Sequence, residues 1–160
     1  MKKIVFVLIT LFVYISDLYG EVVDTTTAKT VAKNFFYEMS PDSVRMQDVI
    51  ITQQFIISNN SMPIYYIYNI GNNQGWVIVS ADNRVVPVLA YSFEGSYSET
   101  DQNPAFSAWM EQYKEQILYV KENNLSSKTK TDTLWQYYTI KFNPSKGKNK
   151  SVVVGPLITT

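Results

Sequence analysis

No cysteine and no histidine occurs among the 160 residues. Without a thiol there is no cysteine nucleophile, no zinc–thiolate site and no disulfide. Without an imidazole, a serine or threonine nucleophile lacks its usual partner base. The catalytic chemistry left is that of paired carboxylates, of Lys or Tyr, or of a hard metal held by oxygens. Excess charge of one sign is also lacking, since 14 basic residues meet 14 acidic ones. The chain shows one compositional class, which favours a single domain.

The first 20 residues read as a secretory signal. Lys2 and Lys3 supply the positive start, "IVFVLITLFVYIS" the apolar run, and Gly20 a small residue at the expected cleavage point. The run is short for a membrane span. We therefore expect export, to the periplasm or beyond, and no stable membrane insertion once the signal is removed. An exported protein is free to use disulfides, but this one has none, so its stability must rest on its core. Roughly 100 packed residues rich in aromatics suffice for that.

Without the signal, 12 basic residues face 13 acidic ones, net −1. Residues 21–120 carry 5 basic and 11 acidic groups, net −6, and residues 121–160 carry 7 and 2, net +5. The pattern predicts an acidic body, 21–122, followed by a basic linker and tail, 123–160. No basic–aromatic stripe runs along the body, which argues against nucleic acid as a partner.

Residues 25–39 space Ala28, Val31, Ala32, Phe35, Phe36 and Met39 as on one helix face, with Asp24 or Thr25 as the start signal. Four runs rich in β-branched and aromatic residues follow, at 49–58, 63–70, 76–81 and 86–92. The connections are short, so neighbouring strands should pair antiparallel. Pro87 belongs at a strand start or on an edge. Asn103 and Pro104 then cap and open a second helix. Phe106, Trp109, Met110, Tyr113, Ile117 and Val120 mark its apolar face. "ENNLSSKTKTDT" reads as a linker, "LWQYYTIKF" as an apolar piece packing back, and "SVVVGPLITT" as an extended end. The fold expected is α+β: an antiparallel sheet of about four strands, two amphipathic helices on one face, and an extended C-terminal tail.

Few groups are candidates for chemistry. Glu94, Glu99 and Asp101 could form carboxylate pairs, but they fall in a loop with no aromatic sugar platform beside them. Asp82 and Asn83 with Asp101 lack the regular alternation of oxygen ligands that calcium needs, and Asp82-Asn83-Arg84 reads more simply as a hairpin turn. Tyr65, Tyr66, Tyr68, Tyr137 and Tyr138 suit core packing better than a binding stripe. No catalytic residue, metal or cofactor is implied, and the sheet is expected to act by binding.

The stretch "GWVIVSADNRVVPVLAYSFEGSY", a polar loop, and then "NPAFSAWMEQYKEQI" resembles the prosegment of streptopain-type cysteine peptidases and the stand-alone Spi-type inhibitors similar to it. The likeness lies in Gly75 to Ser80, Asp82 to Arg84, Leu89 to Ser92, Gly95 to Tyr97, and Trp109 to Tyr113. It covers roughly residues 25–120. "VVVGPLITT" resembles the passage from prosegment into mature peptidase. The catalytic Cys and His of a peptidase are missing. With its own Met and signal, the chain is expected to be free-standing.

The resemblance implies a reversible, noncovalent inhibitor whose partner is a streptopain-type cysteine peptidase. It places the loop Glu99, Asp101, Gln102, Asn103, Pro104 at the active-site cleft. Asn103 matches the family's asparagine ahead of the helix, but two additional residues separate it from Trp109. Gln102 and Asp101 are the neighbouring alternatives, and Asn103 is equally suited to be only a helix cap. Two other readings stay open: an exported adhesion or interaction module on the same scaffold, and a prosegment fragment of a truncated zymogen.

Overall fold

The computed structural model describes residues 22–100 and 102–140. The proposed signal, Asp101 and the "SVVVGPLITT" segment lie outside the described residues. The order is helix α1 (Thr25–Met39), a 3-10 turn (Met46–Asp48), strands β1 (Ile51–Asn59), β2 (Met62–Ile70), β3 (Gly75–Ser80) and β4 (Val88–Ser92), then helices α2 (Pro104–Glu122) and α3 (Thr129–Thr139). The strands form one antiparallel sheet in the order β1-β2-β3-β4. The α+β class and the four-stranded sheet are as the sequence predicts.

Local chemistry explains the boundaries. Asp24 caps α1, its carboxylate accepting from the Thr26 and Thr27 N–H groups at 2.7 and 2.9 Å, which fills donors a helix start leaves open. Those bonds hold the Asp24 carboxyl below its ordinary range. The β1–β2 turn uses Asn60 and Ser61, both with positive φ, and so matches the twist of the strands it joins. Pro87 immediately precedes the edge strand β4, where its missing N–H costs no ladder bond. Gly75 has φ +134, and a Cβ there would sit 2.2 Å from the Ser92 carbonyl oxygen, so only glycine fits where β3 begins against β4.

The helices do not share one face. α1 buries Val31, Ala32, Phe35 and Phe36 against Tyr66, Tyr68, Ile70, Val77 and Val79. α2 buries Met110, Ile117 and Val120 against Ile64, Ile67, Ile78 and Leu89 on the other face. This corrects the expected one-faced arrangement. β2 and β3 are apolar at consecutive positions, so both sheet faces need cover. Val77 and Val79 point one way and Ile78 the other, and all three are fully buried.

The segment from Thr129 is helical and lies on the α1 side. Trp135 and Tyr138 enter that core. Trp135 Nε1 donates to the Val85 carbonyl at 2.7 Å. Asn34 of α1 donates to the carbonyls of Tyr138 and Ile140 at 2.7 and 3.1 Å, filling acceptors that the end of α3 leaves open.

The turn Asp82-Asn83-Arg84 is an anchor for α2 as well as a hairpin connection. Asp82, 1 % exposed, accepts from Arg84 Nε and Nη2 at 2.9 and 2.7 Å. Lys121 near the end of α2 lies 3.8 Å away, and Arg84 Nη1 reaches Asn124 at 3.1 Å. These contacts fix the far end of α2, whose near end carries the candidate loop.

Candidate functional site

The segment from Phe93 to Asn103 connects β4 to α2 across the edge of the second sheet face. Its first turn closes on Ser92, whose Oγ donates to the Glu94 carbonyl at 2.8 Å and accepts from the Glu94 N–H at 3.1 Å. Gly95 follows with φ +72 and open space around its Cα. Its N–H donates to the Asn73 carbonyl at 3.1 Å. Tyr97 is then held by Asn69 of β2. The Tyr97 N–H donates to Asn69 Oδ1 at 2.8 Å, and Asn69 Nδ2 donates to the Tyr97 carbonyl at 2.9 Å. Ser98 and Thr100 form a further turn through their hydroxyls, 3.0 Å apart.

Aromatic packing supports this path. The Tyr97 ring meets Phe55 edge-on at 5.1 Å and lies 6.3 Å from Phe106, which in turn meets Trp76 edge-on at 5.6 Å. Such contacts order large rings at defined angles. Together with the loop they line an open surface pocket of about 320 Å³, bounded by Trp76, Tyr97 and Phe106, with Thr100, Gln102 and Asn103 along its rim. Burial, aided by nearby Glu99, raises the Tyr97 phenol above its ordinary value. Burial likewise pushes Tyr65 up to about 12, with smaller contributions from Tyr97 and Glu111. Both stay neutral at physiological pH and serve as packing and hydrogen-bonding groups.

The structure brings Gln102 and Asn103 together on the pocket rim, with Gln102 half-buried and Asn103 exposed. Glu99 is exposed and not part of the pocket wall, and Pro104 is the exposed first residue of α2. Asp101 lies outside the described residues. Asn103 is a helix cap: its Oδ1 accepts from the Ala105 N–H at 2.9 Å. That bond uses only the oxygen. The amide nitrogen, a double donor, has no partner among the described residues, so capping and contact are compatible in one side chain.

Trp109, expected on the buried face of α2, is 45 % exposed and tilts against Tyr113 at 5.2 Å. It stands less than two turns beyond Asn103, beside the pocket residue Phe106. Sequence reasoning also missed Asn69 and the pocket walls. Asn69 carried a legible signal, a carboxamide inside the aromatic strand "PIYYIYNI", because a buried polar group requires a partner. Which partner was not legible, since Tyr97 lies 28 positions away.

Other candidates are accounted for. Tyr65, Tyr66, Tyr68 and Tyr138 are buried packing residues, and Tyr137 donates to Glu38 at 3.0 Å. The oxygens of Asp82 already face Arg84, and no cluster suited to a metal occurs among the described residues. No described helix is long and apolar enough to cross a membrane.

Comparison with known proteins yields two findings. The family model described as Spi protease inhibitor matches residues 20–117. A thiol protease/hemagglutinin, PrtT, of Porphyromonas gingivalis is 24% identical over 124 residues, which are 76% of this chain and 14% of that protein. The chain thus spans about a seventh of the length of that relative.

Proposed function

The chain belongs to the Spi protease inhibitor family, and from that premise we propose that it inhibits a streptopain-type cysteine peptidase noncovalently, after export. The family match over residues 20–117 carries this reading. The match to a thiol protease supports the class of target. The loop Glu99–Pro104, with Gln102 and Asn103 on the pocket rim, enters the active-site cleft. Trp109 packs against the surface beside it, as exposed tryptophans at binding sites commonly do. The Asn69–Tyr97 bonds ahead of the loop and the Asn103 cap at its far end order its two flanks before binding, which lowers the entropy cost of association. The amide of Asn103 donates hydrogen bonds in the cleft and offers no cleavable bond.

An inhibition assay against a streptopain-type peptidase tests this. Asn103→Ser and Asn103→Asp keep a capping oxygen and lose the amide, so the melting temperature should stay near that of the parent. Losing a buried hydrogen-bond partner costs about 1–3 kcal/mol, or roughly tenfold to hundredfold in inhibition. Parent-like inhibition by Asn103→Ser, Gln102→Ala and Asp101→Ala together would remove the loop from the interface. Export is read from Lys2, Lys3 and the apolar run up to Gly20. Mass spectrometry of the native protein should find a start at or near Glu21, and an exported product still beginning at Met1 would contradict it.

A second reading is favoured by the match to a small part of a thiol protease. In it the same domain acts as a prosegment and assists the folding of the attached peptidase. Refolding of a denatured peptidase with the chain added in trans separates the two. Faster recovery of activity supports the prosegment role, and inhibition without any gain in recovery supports the inhibitor.

A further inference from the structure

Asn69 sits in β2 with 2 % of its surface exposed. A carboxamide so buried is costly unless its hydrogen bonds are made. It makes three: Oδ1 accepts from the Tyr97 N–H at 2.8 Å, and Nδ2 donates to the Tyr97 carbonyl at 2.9 Å and to Gln53 Oε1 at 3.1 Å. The two bonds to Tyr97 supply one donor and one acceptor to a single backbone residue. A neighbouring strand would offer the same pair. Asn69 therefore holds a loop residue as a sheet would hold it, with no strand present.

The position of this clasp matters. Tyr97 and Asn103 both line the pocket, and Asn103 is fixed by its cap on α2. The stretch between them is tethered at both ends. One tether is the helix cap and the other is the Asn69 carboxamide, supported by the Phe55 and Phe106 rings around Tyr97. Without the clasp, Tyr97 itself would be held by ring packing and by the Gly95–Asn73 bond two residues before it, and more of its ordering would be left to binding.

We propose that Asn69 is a positioning residue for inhibition: its carboxamide locks Tyr97, and through Tyr97 presents Gln102, Asn103 and the Trp76–Tyr97–Phe106 pocket to the peptidase. Asn69 itself touches no target. The proposal rests on the loop being the peptidase-contacting element.

The test uses the full chain with Asn69→Leu and Asn69→Asp. Three quantities are read: the melting temperature, amide hydrogen exchange at Tyr97, and the inhibition constant against a streptopain-type peptidase. Leucine keeps the approximate volume and abandons both bonds to Tyr97. Aspartate keeps an acceptor for the Tyr97 N–H but turns a second oxygen towards the Tyr97 carbonyl, while the Gln53 side-chain amide can turn its NH2 to meet it. Asn69→Leu, and Asn69→Asp with its carboxyl ionised, should exchange faster at Tyr97 and inhibit at least tenfold more weakly. A carboxyl buried there has a raised pKa. As pH falls it takes up a proton and donates to the Tyr97 carbonyl, so protection at Tyr97 should return in Asn69→Asp and not in Asn69→Leu. Because protonating a buried carboxylate also restores global stability, the recovery counts for positioning only where protection at Tyr97 changes more than protection in the β2–β3 core and the melting temperature does not account for it. So judged, the recovery also carries the test alone if Asn69→Leu does not fold.

Undiminished protection of Tyr97 in Asn69→Leu, or in Asn69→Asp at a pH where the carboxyl is ionised, overturns the proposal. So does a loosened loop with parent-like inhibition while Gln102→Ala and Asn103→Ser weaken it. If the loop loosens and none of the four variants changes inhibition, the loop reading itself falls, and the role of Asn69 falls with it.

Discussion

Asp82 shows how much one side chain can decide. It is nearly fully buried and faces two cations, Arg84 in a two-bond contact and Lys121 at 3.8 Å. Burial holds the Lys121 ammonium below its ordinary value, although Asp82 pulls the other way. Removing the shared anion would leave both cations buried without it. Breaking a buried pair in this way costs about 3–5 kcal/mol. Asp82→Ala should therefore lower the unfolding free energy by that much, whereas Lys121→Met leaves the Asp82–Arg84 pair intact and should cost far less. Equal losses in the two variants, measured by urea unfolding, would contradict the central role of the anion. Trp109 makes the opposite point: on a helix that buries Met110, Ile117 and Val120 it stays 45 % exposed, as Tyr119 does at 54 %, so most of its ring is not spent on the core.

Among the elements, α3 changes most between sequence and structure. Its start falls within "ENNLSSKTKTDT", which reads as a linker because it is polar and lacks helical periodicity. The helix owes its place to tertiary contacts, as short helices generally do. Trp135 supplies a ring to the α1 core and an N–H to Val85, and Asn34 closes the helix end. Trp135→Ala should destabilise the protein by about 3–5 kcal/mol, the usual range for a buried tryptophan. Thermal unfolding checks this. A loss under about 1 kcal/mol would mean that α3 is an appendage rather than part of the core. Because α3 and the candidate loop lie against different sheet faces, the folded fraction of this variant should inhibit as the parent does.

For the whole molecule, the missing histidine predicts an unusual pH profile. No side chain has an ordinary pKa between those of the carboxylates and those of lysine and tyrosine, so stability should be nearly flat from about pH 5 to 9. On the acid side, Asp24 and Asp48 have lowered pKa values, set first by hydrogen bonds from Thr27 and Arg45 respectively. Their contribution is complete above the ordinary carboxylate range and is lost as pH falls through the depressed values. On the alkaline side, burial raises Tyr65, Tyr68 and Tyr138. Their contribution is present below about pH 10 and is lost as pH rises towards the folded values. The lowered Lys121 acts in the opposite direction just below its ordinary value near 10.5, but one lysine stands against several tyrosines. Denaturant unfolding across the pH range should show a plateau with loss at both ends. A pronounced slope near pH 6.5 would contradict it.

The sequence by itself determined the elements whose causes are local. The Asn103 cap, a first helix starting at Asp24 or Thr25, the place of Pro87 and the antiparallel order of four strands follow from residue type and short connections. The absent thiol and imidazole narrowed the chemistry before any fold was known, and the motif from Gly75 to Tyr113 pointed to the family. Only the tertiary structure decided what depends on groups far apart in the chain. The division of α1 and α2 between opposite sheet faces follows from β2 and β3 being apolar on both sides, a pattern that fixes burial without saying which helix covers which face. The partners of Asp82 and Asn69, the exposure of Trp109, and the meeting of Gln102 and Asn103 with Trp76 at one pocket arise where separate elements converge. Residue type announces that a buried charge or amide needs a partner, and folding chooses which one.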